Sequence, residues 1–532
     1  MEFISDPPIS DKIEKMKQRV RWQDSAIVSR GIDQTRVVFD SHVSDEPNFS
    51  FLVIGDSGSG PHRGHNAQRK VAELMLNHRE KSRFVLHTGD VIYLVGSSEY
   101  YLDNFIQPYR EFLVGGEEPE NIYYERMIFN QPFLPVLGNH DYYDLPLIFG
   151  LMGQTLRPLR RILSGAIDLE IGWHGSGQGR AYTKAFLDYL QRFSSSTVLA
   201  EYLDSHYTAS TNTGRCLLYQ PGKFTRLPNR YYTFRTGGID FFALDSNTFN
   251  APLPIPKTSE GKATRRLLRD RRKELEQIEK RILETSAKLH ENIPEEAEKL
   301  DDFRTLLEQI EETKLDIEKQ LQATQINGVD LEQLEWLKER LIESWHTKDV
   351  RGRVLYFHHP PYVTEATKWD QAQTLAVRRH LRTVLDEVAK EVGTLAEGRP
   401  LVDLVINGHA HCLEHLYTGD TGHGDSHIHW IVCGGSGYSL RRQRSEGSRL
   451  MEVFNDSNGG KLREVAESKL FVGRSGYGRK KRRPYSCVKI NVKSGSPLQF
   501  EVQPLITERF QREWIYPDID PFVISPSIPV VT

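Results

Sequence analysis

The chain has 532 residues, 69 basic and 72 acidic, so its formal charge is only -3, which argues against nucleic-acid or membrane-surface binding driven by net charge. Its four cysteines, Cys216, Cys412, Cys433 and Cys487, are widely spaced and too few for a disulfide framework, which fits a reducing compartment. Met1 to Pro8 is acidic rather than basic and then apolar, and no run reaches the roughly 18 to 20 apolar residues of a membrane helix, so a soluble cytoplasmic protein is expected.

Residues 1–50 read as an N-terminal extension with a helix over Asp11–Trp22 and a strand over Thr35–Phe39. Residues 51–257 read as the first part of a main domain, where strands alternate with helices at Asn66–Arg79 and Glu99–Phe112, the βαβ pattern of a parallel sheet. An inserted cap over about 145–229 has mixed periodicity and includes a helix over Ala181–Phe193.

Residues 258–325 read as a helical hairpin. Leu268, Leu275, Ile282 and Leu289 recur every seven residues; Leu300, Phe303, Leu307, Ile310, Ile317 and Leu321 form the return seam, interrupted by Lys314. The turn is placed near Asn292–Pro294, and two helices of about 25 residues would span about 35 to 40 Å, enough to project from a compact domain. A solvated hairpin closing on itself is favoured over an arm for a protein partner or self-association. Residues 326–507 continue the main domain, with a helix over Leu331–Trp345, a strand over Ile428–Gly434 and strands near Cys487–Val492 and Gln499–Val502. Residues 508–532 read as a surface tail, and one elaborated domain is preferred to several.

Five apolar runs stop abruptly at a metal-type ligand: Phe51–Gly55 at Asp56, Phe84–Gly89 at Asp90, Phe133–Gly138 at Asn139, Val354–Phe357 at His358 and Leu401–Gly408 at His409. Buried parallel strands read as continuous apolar runs, and ligands in α/β sheets gather beyond the strands' carboxyl ends, so the termini are expected to share one pocket. Tyr93 follows Asp90 by three residues, His140 and Asp141 follow Asn139, and His411 follows His409 by two. Adjacent side chains in extended chain point to opposite faces, so only one of His358 and His359 is expected in the pocket, and His358 is chosen. Asp56, Asp90, Tyr93, Asn139, His358, His409 and His411 together suit two ions sharing Asp90, with water completing each shell. Two such cations hold phosphate oxygens, acidify a water and neutralise charge at phosphorus, which points to phosphoester hydrolysis.

In order and spelling these motifs resemble the calcineurin-like metallophosphoesterase superfamily, over roughly residues 51–256 and 326–440. Most of that superfamily has Asp-x-His in the first motif. This chain has Gly58 at the histidine position and offers Tyr93 in the second motif, a combination that looks like the purple acid phosphatase branch. The resemblance implies a layered α/β sandwich of two mixed sheets flanked by helices, with the cap and the hairpin inserted. It implies Asp56, Tyr93 and His411 on one ion, Asn139, His358 and His409 on the other, Asp90 bridging them, and His140 assisting phosphate binding and leaving-group protonation. A phenolate suits iron(III), so the implied cofactor is Fe(III) with Fe(II), Zn or Mn. The expected substrate is a small phosphorylated molecule and the expected activity phosphomonoester hydrolysis. A phosphodiesterase acting on cyclic nucleotides and a non-catalytic scaffold using the hairpin are the alternatives.

Other candidates weigh less. Arg441, in a turn shortly after His411, is a candidate for substrate binding. The basic run Arg479–Arg483 reads as solvated rather than as a nucleic-acid element. His423, His427 and His429 read as decoration of a hairpin, His62 and His65 as loop residues near the substrate, and Cys412 as a packed thiol.

Overall fold

A computed structural model describes residues 5–61, 65–145, 174–290, 293–323, 328–456 and 459–525. The apolar runs become two mixed sheets, one of seven strands and one of eleven. In the first, Phe49–Ile54, Val85–His87 and Phe133–Pro135 run parallel, with Leu52 opposite Val85 and Val85 opposite Phe133. Arg482–Lys493 pairs antiparallel with Phe49–Ile54, and Gln499–Phe510 pairs antiparallel with Arg482–Lys493. In the second sheet Ile239–Ala243, Gly352–Phe357, Leu404–Asn407 and His429–Cys433 are parallel neighbours. Every residue of Gly352–Phe357 and Leu404–Asn407 is buried, as apolar strands covered on both faces must be.

Aromatic rings join the sheets. Phe51 stacks on Phe84 with centroids 4.9 Å apart, and both meet Phe241 of the larger sheet edge-on, at 5.6 and 5.3 Å. The outer face of the larger sheet is covered by helices Leu331–His346 and Ala372–Val392, which bury Leu337, Leu341, Leu381 and Leu385 in one cluster with Leu355 and Val405. Helix Ala67–Leu76 begins at Asn66, whose side chain accepts the Arg69 N–H at 2.8 Å, a cap that satisfies an otherwise orphaned donor.

Several elements differ from expectation. Glu99–Phe112 is not one helix but three short turns, Ser98–Tyr100, Leu102–Ile106 and Arg110–Phe112, because Pro108 has no N–H to give and its ring obstructs the preceding turn. The cap helix is Arg180–Phe186; Leu187 then turns extended and bridges to Leu227. The described part of the surface tail is fixed to the sheet, Phe522–Ile524 pairing with Gln499–Phe510. Among the described residues no helix is long and apolar enough to cross a membrane.

The insertion forms helices Ser259–Ser286 and Pro294–Gln322, with Leu275, Ile282, Ile310 and Ile317 buried between them. Lys314 is held in that seam by Glu279 at 3.1 Å and Glu311 at 3.0 Å, and residues 291–292 of the expected turn lie outside the described residues. The hairpin does not stand away from the domain. Its second helix lies on it: Asp316 accepts the N–H groups of Ala372 and Gln373 at 3.1 and 3.2 Å, Arg474 pairs with Asp301 at 3.0 Å, and Lys319 reaches Asp6 at 2.7 Å. The physical reason is a second stripe at helical spacing, Asp301, Glu308, Glu312 and Asp316, which carries negative charge to the face opposite the apolar seam.

Candidate metal centre

The five strand ends meet where the two sheets converge. Phe49–Ile54, Val85–His87 and Phe133–Pro135 deliver Asp56, Asp90 and Asn139 from one sheet, and Gly352–Phe357 and Leu404–Asn407 deliver His358 and His409 from the other. Asp56, Asp90 and His409 all take left-handed backbone conformations, with φ of 53°, 54° and 65°. Such conformations cost on the order of 1–3 kcal/mol each in non-glycine residues and persist where neighbours over-determine them. Here the ligand loops lock one another. His409 N–H donates to Asp56 Oδ2 at 2.9 Å, Asp56 N–H to the Gly89 carbonyl at 3.0 Å, and His140 N–H to Asp90 Oδ1 at 2.9 Å. Gly138 lets the third loop approach this closely, since a Cβ there would lie 2.0 Å from Asp90 Oδ1.

Around the Tyr93 hydroxyl stand Asp56 Oδ1 at 3.0 Å, Asp90 Oδ2 at 2.9 Å and His411 Nε2 at 3.2 Å. His411 donates Nδ1–H to the Ser439 carbonyl at 2.7 Å, so its Nε2 faces the cluster as a lone pair. Three acceptors therefore compete for one phenol proton. Around His358 the imbalance is greater. Its Nδ1 donates to the Thr88 carbonyl at 2.8 Å, leaving the Nε2 lone pair 3.0 Å from Asn139 Oδ1 and 3.3 Å from Asp90 Oδ2. Asp90 Oδ2 is common to both groups. Converging lone pairs without protons between them are the chemistry of a cation site, and both donor sets fit one.

His409 completes the second group less directly. Its ring is 5.0 Å from that of His358, while its Nε2 accepts from Lys368 Nζ and Gln373 Nε2, each at 3.1 Å. His359 stands beside the chosen His358: one ring nitrogen each of His358, His359 and His409 lies within 4.8 Å of the others. The chain leaves its extended conformation at the strand end, so the alternation of faces no longer applies. His359 is steadied by Ser246 Oγ, 2.8 Å from its Nδ1. His140 donates Nδ1–H to the Leu94 carbonyl at 2.6 Å and turns Nε2 toward Asp90 Oδ2, 4.0 Å away. Asp141 lies outside the donor set. Its oxygens accept the N–H groups of Val91 at 3.0 Å and Gly138 at 2.9 Å, tying the second and third loops together.

Charge is concentrated in a dry place. Burial pushes the Asp56 carboxyl well up, opposed by His358 and reinforced by Asp90. In Asp90 burial is outweighed by His358 and His140, which hold it below the usual carboxylate range. Burial, Asp56 and Asp90 together push the Tyr93 phenol far up, and His358 rises to about 9 because Asp90 and Asp56 outweigh its burial, so without a cation its Nε2 takes a proton in the place a cation would fill. Buried anions this close need compensating positive charge.

Tyr438, which no motif singled out, stacks on Tyr93 at a 3.9 Å centroid distance and 2° between planes. Gly58 is closed to any side chain: a Cβ there would lie 2.1 Å from the Val91 carbonyl oxygen and 2.5 Å from Ile92 Cα. Arg441 is not open to solvent; it is 1 % exposed, and its guanidinium donates to Glu308 at 3.1 Å and Glu312 at 3.0 Å from the hairpin. The run Arg479–Arg483 likewise faces the hairpin rather than solvent alone, with Lys481 and Arg483 on Glu298 at 3.0 and 2.9 Å. His415 and His429 stack on each other at 5.3 Å, His65 meets Trp514 at 6.0 Å, His62 lies outside the described residues, and Cys412 is buried and unpaired.

Residues 49–270 match the family model of calcineurin-like phosphoesterases. The chain carries a calcineurin-like phosphoesterase domain, and the protein is a metal-dependent phosphoester hydrolase. No curated protein matches it in sequence. Among solved structures it is similar to GAP50, the anchor in the inner membrane complex of Plasmodium, at 12 % identity over 90 % of this chain and 89 % of that one, with a TM-score of 0.39. Purple acid phosphatase PPD1 from yellow lupin seeds is similar at 13 % identity over 90 % of this chain and 54 % of its own, with a TM-score of 0.40. PhoD is similar at 12 % identity over 91 % and 71 %, with a TM-score of 0.38.

Proposed function

We propose that the protein is a phosphomonoesterase of the purple acid phosphatase type. Asp56, Tyr93 and His411 would hold one metal ion, Asn139, His358 and His409 a second, and Asp90 would serve both. The observation that carries this reading is the excess of lone pairs around the Tyr93 hydroxyl and His358 Nε2, joined by the single oxygen Asp90 Oδ2. The branch is supported by Gly58, whose closed position leaves no room for the histidine of other members, while Tyr93 brings a phenol to the same donor group.

When bound, such a pair of ions supplies an acidified water and neutralises charge on the ester oxygens; a phenolate donor favours iron(III) beside Fe(II), Zn or Mn. The chain's own residues supply the rest. Asp90 orients both donor groups, His140, anchored through Nδ1–H on the Leu94 carbonyl, presents Nε2 to the leaving group, and Asp141 fixes the loops that carry them. The intact donor set argues against a scaffold without catalysis. Four unpaired, buried cysteines support a reducing, cytoplasmic setting.

The test is metal analysis and visible absorption on protein purified without chelator, followed by hydrolysis of an aryl phosphate monoester and the matching diester. Two ions per chain, a tyrosinate-to-iron absorption band and faster monoester turnover are expected. A fully metallated protein that cleaves neither ester overturns the reading, and faster diester turnover replaces the monoesterase with the diesterase.

A further inference from the structure

The donor cluster is covered. Asp56, Asp90, Tyr93, Asn139, His358, His409 and His411 are each at most 4 % exposed, too little to admit an ester. What lies over the crevice is the second hairpin helix, Pro294–Gln322, and from it Glu312 reaches toward the donor cluster. Its carboxylate pairs through one oxygen with Lys368 Nζ at 2.7 Å and through the other with Arg441 Nη2 at 3.0 Å. Lys368 Nζ in turn is 3.1 Å from His409 Nε2, so the carboxylate sits within one side chain of the donor cluster. Both cationic side chains are essentially without solvent contact, at 1 % and 0 %.

Two cations buried beside a phosphoesterase centre must be paired, and here an acid from an insertion supplies the partner. Charges of this sign, fixed at the edge of the donor group, are what a phosphoryl group requires. We propose that Lys368 and Arg441 are the substrate's phosphate-binding pair, that Glu312 stands in for the phosphate in the resting protein, and that the helix carrying it is a lid which an anionic substrate displaces. The proposal rests on the phosphoesterase reading. It also favours a monoester, whose dianion matches two cations, over a singly charged diester.

The rest of the helix is built to release. Its hold on the domain is largely polar, through ion pairs of Asp301 with Arg474, Lys481 and Arg483, Glu308 with Arg441, and Lys319 with Asp6, and through Asp316 on the Ala372 and Gln373 N–H groups; Leu315 adds an apolar contact with Val95 and Tyr143, while the main apolar seam is satisfied within the hairpin by Leu275 and Ile282. Lifting the helix exposes mainly charge to water, with the Leu315 contact on Val95 and Tyr143 as the apolar exception. The acidic partners of these pairs keep 10–21 % of their surface, and phosphate bound between Lys368 and Arg441 would replace the Glu312 carboxylate, so neither buried cation is left unpaired when the helix lifts.

The test uses the metal-loaded full chain and inorganic phosphate as the probe, with binding by calorimetry and amide hydrogen exchange over residues 294–322. A lid that occupies the site divides apparent affinity by the open fraction, so Glu312→Gln is expected to bind phosphate about tenfold more tightly or better. In wild type, phosphate should accelerate exchange in the helix. Arg441→Ala in the Glu312→Gln background should lose the gain, with metal content unchanged. A Glu312→Gln protein that binds phosphate no more tightly, or that loses metal, overturns the proposal, as does exchange that phosphate leaves unmoved. If phosphate behaves as expected but no ester is turned over, the lid stands and the phosphoesterase reading fails. If esters are turned over and phosphate affinity ignores Glu312, the reverse holds.

Discussion

Gly58→Ala tests whether the first motif is spelled by space rather than by chemistry. The added Cβ would lie 2.1 Å from the Val91 carbonyl oxygen and 2.5 Å from Ile92 Cα, both backbone atoms that cannot rotate away. Relief needs a shift of about 1 Å in residues 91–93, whose position is also set by Tyr93 N–H donating to the Gly58 carbonyl at 3.0 Å. Overpacking of this kind costs about 1–3 kcal/mol, against less than about 1 kcal/mol gained from a stiffer unfolded chain. The shift would carry the Tyr93 hydroxyl off its 2.9–3.2 Å distances to Asp90, Asp56 and His411. A 1 Å misplacement of catalytic groups costs about 10²-fold in rate. The assay is aryl phosphate turnover together with thermal unfolding and the absorption band. The variant should be about 10²-fold slower, less stable and weakened in colour. Wild-type stability with turnover within about twofold would refute the steric account.

Three further predictions follow from the same geometry. Tyr93→Phe should remove the visible band and weaken one ion while the chain still folds, read by absorption and metal analysis; an unchanged band would remove Tyr93 from the donor set. Asp90→Ala removes an oxygen close to both donor groups, so both ions and all turnover should be lost, and retained activity would reject the assignment. Asp403 gives a pH prediction. Burial lifts its carboxyl to about 6 from 3.8 although Arg353 N–H donates to it at 2.7 Å. A folded value above the unfolded one means stability that is full below pH 4 and lost as pH rises toward 6, on the order of 3 kcal/mol for that difference. Asp403→Asn should therefore lose less stability than wild type between pH 4 and 6 in denaturant titrations, and parallel curves for the two would contradict it.

Much of the site was legible because its information is local. A continuous apolar run predicts a strand buried on both faces, and the residue that breaks it must lie at the strand's end. Strands beside one another in parallel then place their ends together, as Ile54 does beside His87. The hairpin's seam was legible for the same reason, since Leu275, Ile282, Ile310 and Ile317 repeat at heptad spacing. Its acidic stripe, Asp301, Glu308, Glu312 and Asp316, was equally present in the spacing, but a charged face ordinarily means water, and the cations that answer it lie at Lys368, Arg441 and Arg474. Pro108 was a readable break inside Glu99–Phe112.

The sequence by itself determined the kinds of candidate ligand, their order and the strand ends that carry them, because residue type and hydrophobic period act over a few positions. Only the tertiary structure decided that His359 joins His358 and His409, that Gly58 has no room for a side chain, and that Glu312 lies between Lys368 and Arg441. Each of those depends on atoms from segments far apart in the chain meeting within a few ångströms. That distance is set by how two sheets and a helix pack, which no local pattern encodes.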